Sequence, residues 1–217
     1  MSSPFEAVAA IGVVPVIAIE RAQDATALAD ALLEGGLPVV EVTFRTPAAA
    51  EVIAKLSSDR PQLLVGAGTV LDLASLDAAR RNGARFGLSP GFDAKIVEAA
   101  AAANWPFAPG IMTPTDLSAA ARHGASLIKF FPAGTAGGPA ALEAISAPFA
   151  HLGIQFVPTG GITLDNMGDW LKMKSVAAIG GTWIARADDI RDGRFADITR
   201  KARAAVDKAK ELREARG

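Results

Sequence analysis

Ala125-Ser126-Leu127-Ile128-Lys129-Phe130-Phe131-Pro132 sets a lysine inside an otherwise apolar run. Branched and aromatic residues closed by a proline read as a short strand buried on both faces, the kind found in parallel sheets. Lys129 then lies in a low-dielectric interior, where burial disfavours the ammonium form of an amine and favours the neutral, nucleophilic one. Two plainer explanations stand beside a catalytic one: a lysine snorkelling from a strand end, or one neutralised in a structural ion pair.

Outward from this stretch the same kind of run recurs. Apolar segments at 13–19, 38–44, 63–66, 84–88, 105–108, 126–131, 154–158 and 176–179 alternate with stretches of helical periodicity near 22–34, 47–58, 72–81, 93–103, 115–122, 138–147, 164–173 and 195–213. Repeated strand-then-helix order calls for a parallel sheet with right-handed crossovers. Eight such units predict an α/β chain folded as a single (β/α)8 TIM barrel over residues 1–217, with a doubly wound open sheet as the alternative. Ser3, Pro4 and Glu6 fit the N-cap, first-turn proline and capping-box acid of a short N-terminal leading helix. Gly35-Gly36, Asn82-Gly83, His123-Gly124 and Gly153 close helices, and Thr46-Pro47, Asp72 and Thr113-Pro114 open them. The last helix, with Lys201, Arg203, Lys208, Lys210, Glu211 and Arg213, reads as a solvated cover.

Half of the residues are apolar, ample for a sizeable core. A net charge of −1 argues against a general nucleic-acid or anionic-membrane binder and leaves small molecules or further copies of the chain as partners. The absence of cysteine removes disulfides, thiolate catalysis and cysteine-ligated metal, and fits a cytoplasmic protein. Met1 to Glu6 carries no basic flank, and the apolar run that follows is too short and too broken by Gly12 and Pro15 to cross a bilayer. His123 and His151 are the only histidines, one at a helix end and one in a loop, so neither a metal site nor a histidine triad is expected, and no cofactor is implied.

Chemistry concentrates at strand ends. In Val39-Val40-Glu41-Val42-Thr43-Phe44-Arg45-Thr46 the alternation puts Glu41, Thr43 and Arg45 on one face and Val40, Val42 and Phe44 on the other. With the apolar face against helices, the polar face points inward, where Lys129 points too. A structural ion pair competes with a functional set in which Lys129 attacks a carbonyl, Glu41 carries a proton and Arg45 grips a carboxylate. Thr159-Gly160-Gly161-Ile162 and Gly180-Gly181-Thr182-Trp183 follow the last two strands, where backbone N–H groups and the Thr182 hydroxyl can hold phosphate; a plain strand-to-helix turn is the alternative for each. Gly66-Ala67-Gly68-Thr69-Val70 lacks the third glycine of a dinucleotide motif, but Thr69 points a hydroxyl at the mouth. Ser89-Pro90-Gly91 and Pro109-Gly110 read as rigid rim turns.

Taken in order, Glu41 to Thr46, Gly66 to Val70, Ser89 to Gly91, Lys129 to Ala133, Thr159 to Ile162 and Gly180 to Trp183 closely resemble the 2-keto-3-deoxy-6-phosphogluconate (KDPG) aldolase family over nearly the whole chain. The resemblance implies a class I aldolase of the Entner–Doudoroff pathway that cleaves KDPG to pyruvate and glyceraldehyde 3-phosphate, assembles as a homotrimer and has side activity on 4-hydroxy-2-oxoglutarate. It makes Lys129 the Schiff-base lysine and Glu41 the acid/base acting through water. Arg45 and Thr69 would bind carboxylate, Pro90 would flank and Phe131 wall the pyruvyl group, and Thr159 would sit near the sugar hydroxyls. Gly160, Gly161, Gly181 and Thr182 would hold phosphate. Thr182 stands where the family pattern has serine, and Glu20-Arg21 also departs from it, so Arg21 receives no role. A 4-hydroxy-2-oxoglutarate or galactonate-type keto-deoxy aldolase, a phospho-sugar epimerase, which would not need Lys129, and a phospho-sugar binding protein without turnover are the rival readings.

Overall fold

The computed structural model describes residues 3–215; Met1 and Ser2 of the expected leader, with Arg216 and Gly217, lie outside them. Helix α1 (Pro4–Ile11) leads into β1 (Val13–Ile17), after which come α2 (Ala25–Glu34), β2 (Val39–Thr43), α3 (Ala49–Asp59), β3 (Leu64–Gly68), α4 (Leu73–Arg81), β4 (Phe86–Leu88), α5 (Ala94–Ala102) and β5 (Phe107–Ala108). The chain continues through β6 (Gly110–Ile111), α6 (Pro114–Arg122), β7 (Leu127–Phe130), α7 (Gly138–Ser146), β8 (Gln155–Pro158), α8 (Met167–Leu171), β9 (Ile179–Gly181), α9 (Ala187–Arg191) and α10 (Phe195–Glu214). Short 3-10 turns at Ala22–Asp24 and Ala147–Leu152 precede α2 and β8.

Every ladder is parallel, as the strand-helix alternation requires, but the single closed eight-stranded TIM barrel is not what forms. A curled six-stranded sheet runs in the order β5-β4-β3-β2-β1-β9, and a separate three-stranded sheet runs β6-β7-β8. The break on one side is at Pro109, which has no N–H to give a ladder. The segment expected as a strand and a rim turn thus splits into β5, which pairs with β4, and β6, which pairs with β7. On the other side β8 meets the β9 segment only through isolated bridges at Phe156–Val176 and Thr159–Gly180.

Side-chain caps account for several helix starts. The Ser3 hydroxyl and the Glu6 carboxylate form the expected capping box over Pro4, and Asp72 and Thr113 cap α4 and α6 in the same way. Thr46 does not cap α3; its hydroxyl donates instead to the Ile19 carbonyl at 2.7 Å. The last helix is more than a solvated cover, since Ile198, Ala202, Ala205 and Ala209 form a buried stripe along it. Among the described residues no helix is long and apolar enough to cross a membrane.

Helix α1 closes the end of the structure where the strands begin. Phe5 packs edge-on against Phe86 with ring centroids 6.2 Å apart. Together with Val8, Val14, Leu88, Leu127 and Val157 these rings surround a void of about 10 Å³ directly beneath Glu41. The void is at the lower limit for one water molecule, and its other walls are apolar.

Candidate active site

Strand β2 delivers Glu41 from the six-stranded sheet, and β7 delivers Lys129 from the three-stranded one. Across the interior the Lys129 Nζ donates to Glu41 Oε1 at 2.9 Å, with the two side chains 5% and 1% exposed. The Phe131 ring centroid lies 5.8 Å from the same nitrogen. The alternation read from the sequence therefore holds: Glu41 and Lys129 both point inward and meet. Helix α1, with Phe5 and Val8, lies across the void on the other side of Glu41.

Above Glu41 the polar face of β2 continues upward. The Thr43 hydroxyl donates to the Ile17 carbonyl at 2.7 Å and receives Arg45 Nε at 3.0 Å. This fixes the root of the Arg45 guanidinium while its two terminal nitrogens remain available. Arg45 lines a cleft of about 330 Å³ with Val16, Ala18, Thr182 and Arg186. Arg45 and Thr182, far apart in sequence, are thus brought to one opening.

The remaining sequence-predicted residues lie at neighbouring strand ends. Thr159 is buried at the end of β8, its hydroxyl 3.4 Å from the Val157 carbonyl. Its own carbonyl accepts from Ala133 N at 2.8 Å, and the Gly160 carbonyl accepts from Gly134 N at 2.9 Å, so the loop after Lys129 is stitched to the Gly-Gly loop. Gly160 and Gly161 hold φ of 99° and 74°, a region that side chains rarely adopt. The N–H groups of Gly161, Ile162 and Thr182 have no acceptor among the described residues. Gly181 sits within β9 opposite Pro15, and Trp183 fills the space where its side chain would be. Thr69, half-buried, has φ of 55°, a strained value for a branched residue, at the rim beyond β3. Pro90 is half-buried at the end of β4, where the Ser89 hydroxyl braces the turn by donating to the Gly91 carbonyl at 2.6 Å. Thr69 has no hydrogen bond to Lys129 or Glu41.

Asn166 was missed from the sequence. Its side-chain amide donates to the Gly161 carbonyl at 3.0 Å while its oxygen accepts from Thr163 N at 2.8 Å, which holds the Gly-Gly loop in shape. An asparagine five residues beyond a glycine pair carries no pattern by which to find it. Arg21 turns away from the site, donating to Asp24 at 2.8 Å and to the Arg191 carbonyl at 3.0 Å. A cavity of about 680 Å³ lies elsewhere, at the opposite end of β8 between α7 and the end of α8. Among the described residues no group of three or more histidines or acids could hold a metal ion.

A buried ion pair contributes little to stability, because the desolvation of two charges offsets their attraction. What the fold sets together is a lysine and a carboxyl group in hydrogen-bond contact, the carboxyl on the strand that leads up to Arg45.

Residues 6–201 match the family described as KDPG and KHG aldolase. The chain is 41% identical over 199 residues to the 2-dehydro-3-deoxy-phosphogluconate aldolase of Treponema pallidum, covering 92% of this chain and 94% of that one. Its fold matches a KDPG aldolase from Legionella pneumophila, solved with pyruvate captured as a covalent carbinolamine, with a TM-score of 0.89 at 37% identity over 94% and 98% of the two chains. The KDPG aldolase of Zymomonas mobilis ZM4, solved with 3-phosphoglycerate, matches with a TM-score of 0.85 at 37% identity over 93% and 94%.

Proposed function

The chain belongs to the KDPG and KHG aldolase family, and from that premise we propose that it cleaves KDPG to pyruvate and glyceraldehyde 3-phosphate through a Schiff base on Lys129. The observation that carries this reading is the 2.9 Å contact between Lys129 Nζ and Glu41 Oε1, both buried. The Lys129 ammonium passes a proton to the Glu41 carboxylate, and the resulting amine adds to the C2 carbonyl. The Glu41 carboxyl returns the proton to the carbinolamine hydroxyl, which leaves as water and gives an iminium, an electron sink next to C3. Glu41, directly or through a water, takes the proton of the C4 hydroxyl. The C3–C4 bond breaks, its electrons pass to the iminium nitrogen, and the aldehyde leaves. Glu41 returns the proton to C3 of the enamine, and hydrolysis releases pyruvate and the free lysine.

Arg45, rooted on Thr43, is suited to the keto-acid carboxylate as a two-pronged donor, with Thr69 beside it at the rim. Phe131 walls the pyruvyl group and Pro90 flanks it, while Thr159 faces the sugar hydroxyls. Gly160, Gly161, Gly181 and Thr182 form the phosphate end; the unengaged N–H groups there support this role. The compound 4-hydroxy-2-oxoglutarate has the same 2-keto-4-hydroxy arrangement and undergoes the same steps without a phosphate to anchor it. The whole chain acts as one catalytic domain, as a homotrimer in the cytoplasm; light scattering and cell fractionation test these last two points.

Treatment with pyruvate and borohydride is expected to leave one reduced pyruvyl group on the peptide containing Lys129, and none on a Lys129→Met protein. Absence of the adduct from the wild type would overturn the Schiff-base mechanism.

A further inference from the structure

The cleft shared by Arg45 and Thr182 holds a second guanidinium. Arg186 lines the same space at the C-terminal ends of β1 and β9. Its neighbours Arg21 and Arg191 are engaged with protein carboxylates, whereas Arg186 has no side-chain partner among the described residues. The one carboxylate on the cleft, Asp188, accepts from Arg191 at 2.7 Å.

An exposed arginine by itself is a solvated side chain, but the main chain beneath this one is fixed. Ile184 and Ala185 before it are buried. Three residues on, buried Asp189 accepts from Lys201 at 2.6 Å and from Arg194 at 2.9 Å. The guanidinium therefore pivots on a rigid base at the edge of the cleft, next to the unengaged Thr182 N–H.

We propose that Arg186 is a specificity-determining residue that, with Thr182, grips the phosphate of the aldehyde half of the substrate, while Arg45 serves the carboxylate of the keto-acid half. The assignment rests on the aldolase reading. A guanidinium can make two parallel hydrogen bonds to a phosphate dianion. An unphosphorylated substrate gains nothing from it.

Cleavage of KDPG and of its unphosphorylated counterpart, 2-keto-3-deoxygluconate, is compared in wild type, Arg186→Ala and Arg186→Lys. Arg186→Ala is expected to raise KM for KDPG about 3- to 10-fold, an exposed charge-assisted contact being partly screened. KM for the unphosphorylated acid should stay near its wild-type value, and Arg186→Lys should recover part of the loss. Binding of 3-phosphoglycerate, followed by calorimetry, should weaken in parallel, and the difference should shrink as salt is raised. Equal KM changes for both substrates, or unaltered 3-phosphoglycerate binding, would overturn the assignment. The two readings separate cleanly. Lys129 labelling with unaltered phosphate recognition in Arg186→Ala removes Arg186 and leaves the aldolase. Failure to label the wild type removes the aldolase, and the calorimetric comparison still decides Arg186.

Discussion

Gly68→Ala tests whether the clearance around Glu41 sets its reactivity. Gly68 pairs with Thr43 in the β2–β3 ladder, and a β-carbon added there would lie 2.0 Å from Glu41 Oε1 and 2.7 Å from its Cγ and Cδ. Favourable contacts begin at about 3.5 Å, so the carboxylate must withdraw by about 1 Å or more. Downward it meets only the void of about 10 Å³ walled by Phe5, Val8 and Phe86, too small and too apolar to take it. It must move up or sideways, out of its 2.9 Å contact with Lys129. Overpacking of this kind costs about 1–3 kcal/mol, which lowers Tm by about 2–4 °C per kcal/mol in a chain of this size. A catalytic group misplaced by about 1 Å loses about 100-fold in rate. We expect kcat for KDPG cleavage to fall by that order while pyruvate and borohydride still label Lys129, because the amine is not displaced. Gly66→Ala is the control: its β-carbon would strike the Phe86 ring at 2.2 Å, so it should destabilise the fold with a much smaller loss of kcat. A Gly68→Ala enzyme that melts early but turns over at the wild-type rate would refute the reasoning.

Lys129→Met should abolish labelling and also destabilise the fold by about 3–5 kcal/mol in urea titrations, because Glu41 is left buried without its partner; adding Glu41→Gln should restore most of that stability. Asp189→Asn probes the base of Arg186. The hydrogen bond from Lys201, set against desolvation and joined by one from Arg194, holds the Asp189 carboxyl below the usual carboxylate range. A carboxyl depressed in the folded state stabilises it above its unfolded value of about 3.9 and loses that contribution as pH falls through the lower folded value. The Tm advantage of wild type over Asp189→Asn should therefore be full at pH 7 and narrow below about pH 4; a constant gap down to pH 2 would contradict it.

The strands and most helices were legible because their periods differ, and the inward meeting of Glu41 and Lys129 followed from parity alone. Closure was not legible. Whether parallel strands join into one ladder depends on single hydrogen bonds, and Pro109, read as a rim turn, removes one at the point where β5 and β6 part. Helix α9 escaped because Ala187–Arg191 is only five residues long, too short to show a period. Asn166 was missed because a local bond from an asparagine to the Gly-Gly loop leaves no sequence pattern, and Arg186 because only the fold brings it onto one cleft with Arg45 and Thr182.

The glycines within the strands make sense once the buried polar groups are located. Glu41 stands opposite Gly66, Thr43 opposite Gly68, Lys129 opposite Gly110, and Thr159 is bridged to Gly180. Glycine weakens a strand interior, so one beside each of these side chains needs a reason. The volume that each lacks is filled: by Phe86 at Gly66, by Glu41 at Gly68, by the main chain of Pro90 at Gly110 and by Thr159 at Gly180. Between two facing sheets the space is fixed, and the Glu41 carboxylate and the Thr159 side chain occupy volume that a neighbouring glycine leaves open. The ion pair adds little stability and the glycines subtract some, so stability does not explain the arrangement. The role proposed for Glu41 does, since a proton carrier about 1 Å out of place forfeits most of its effect.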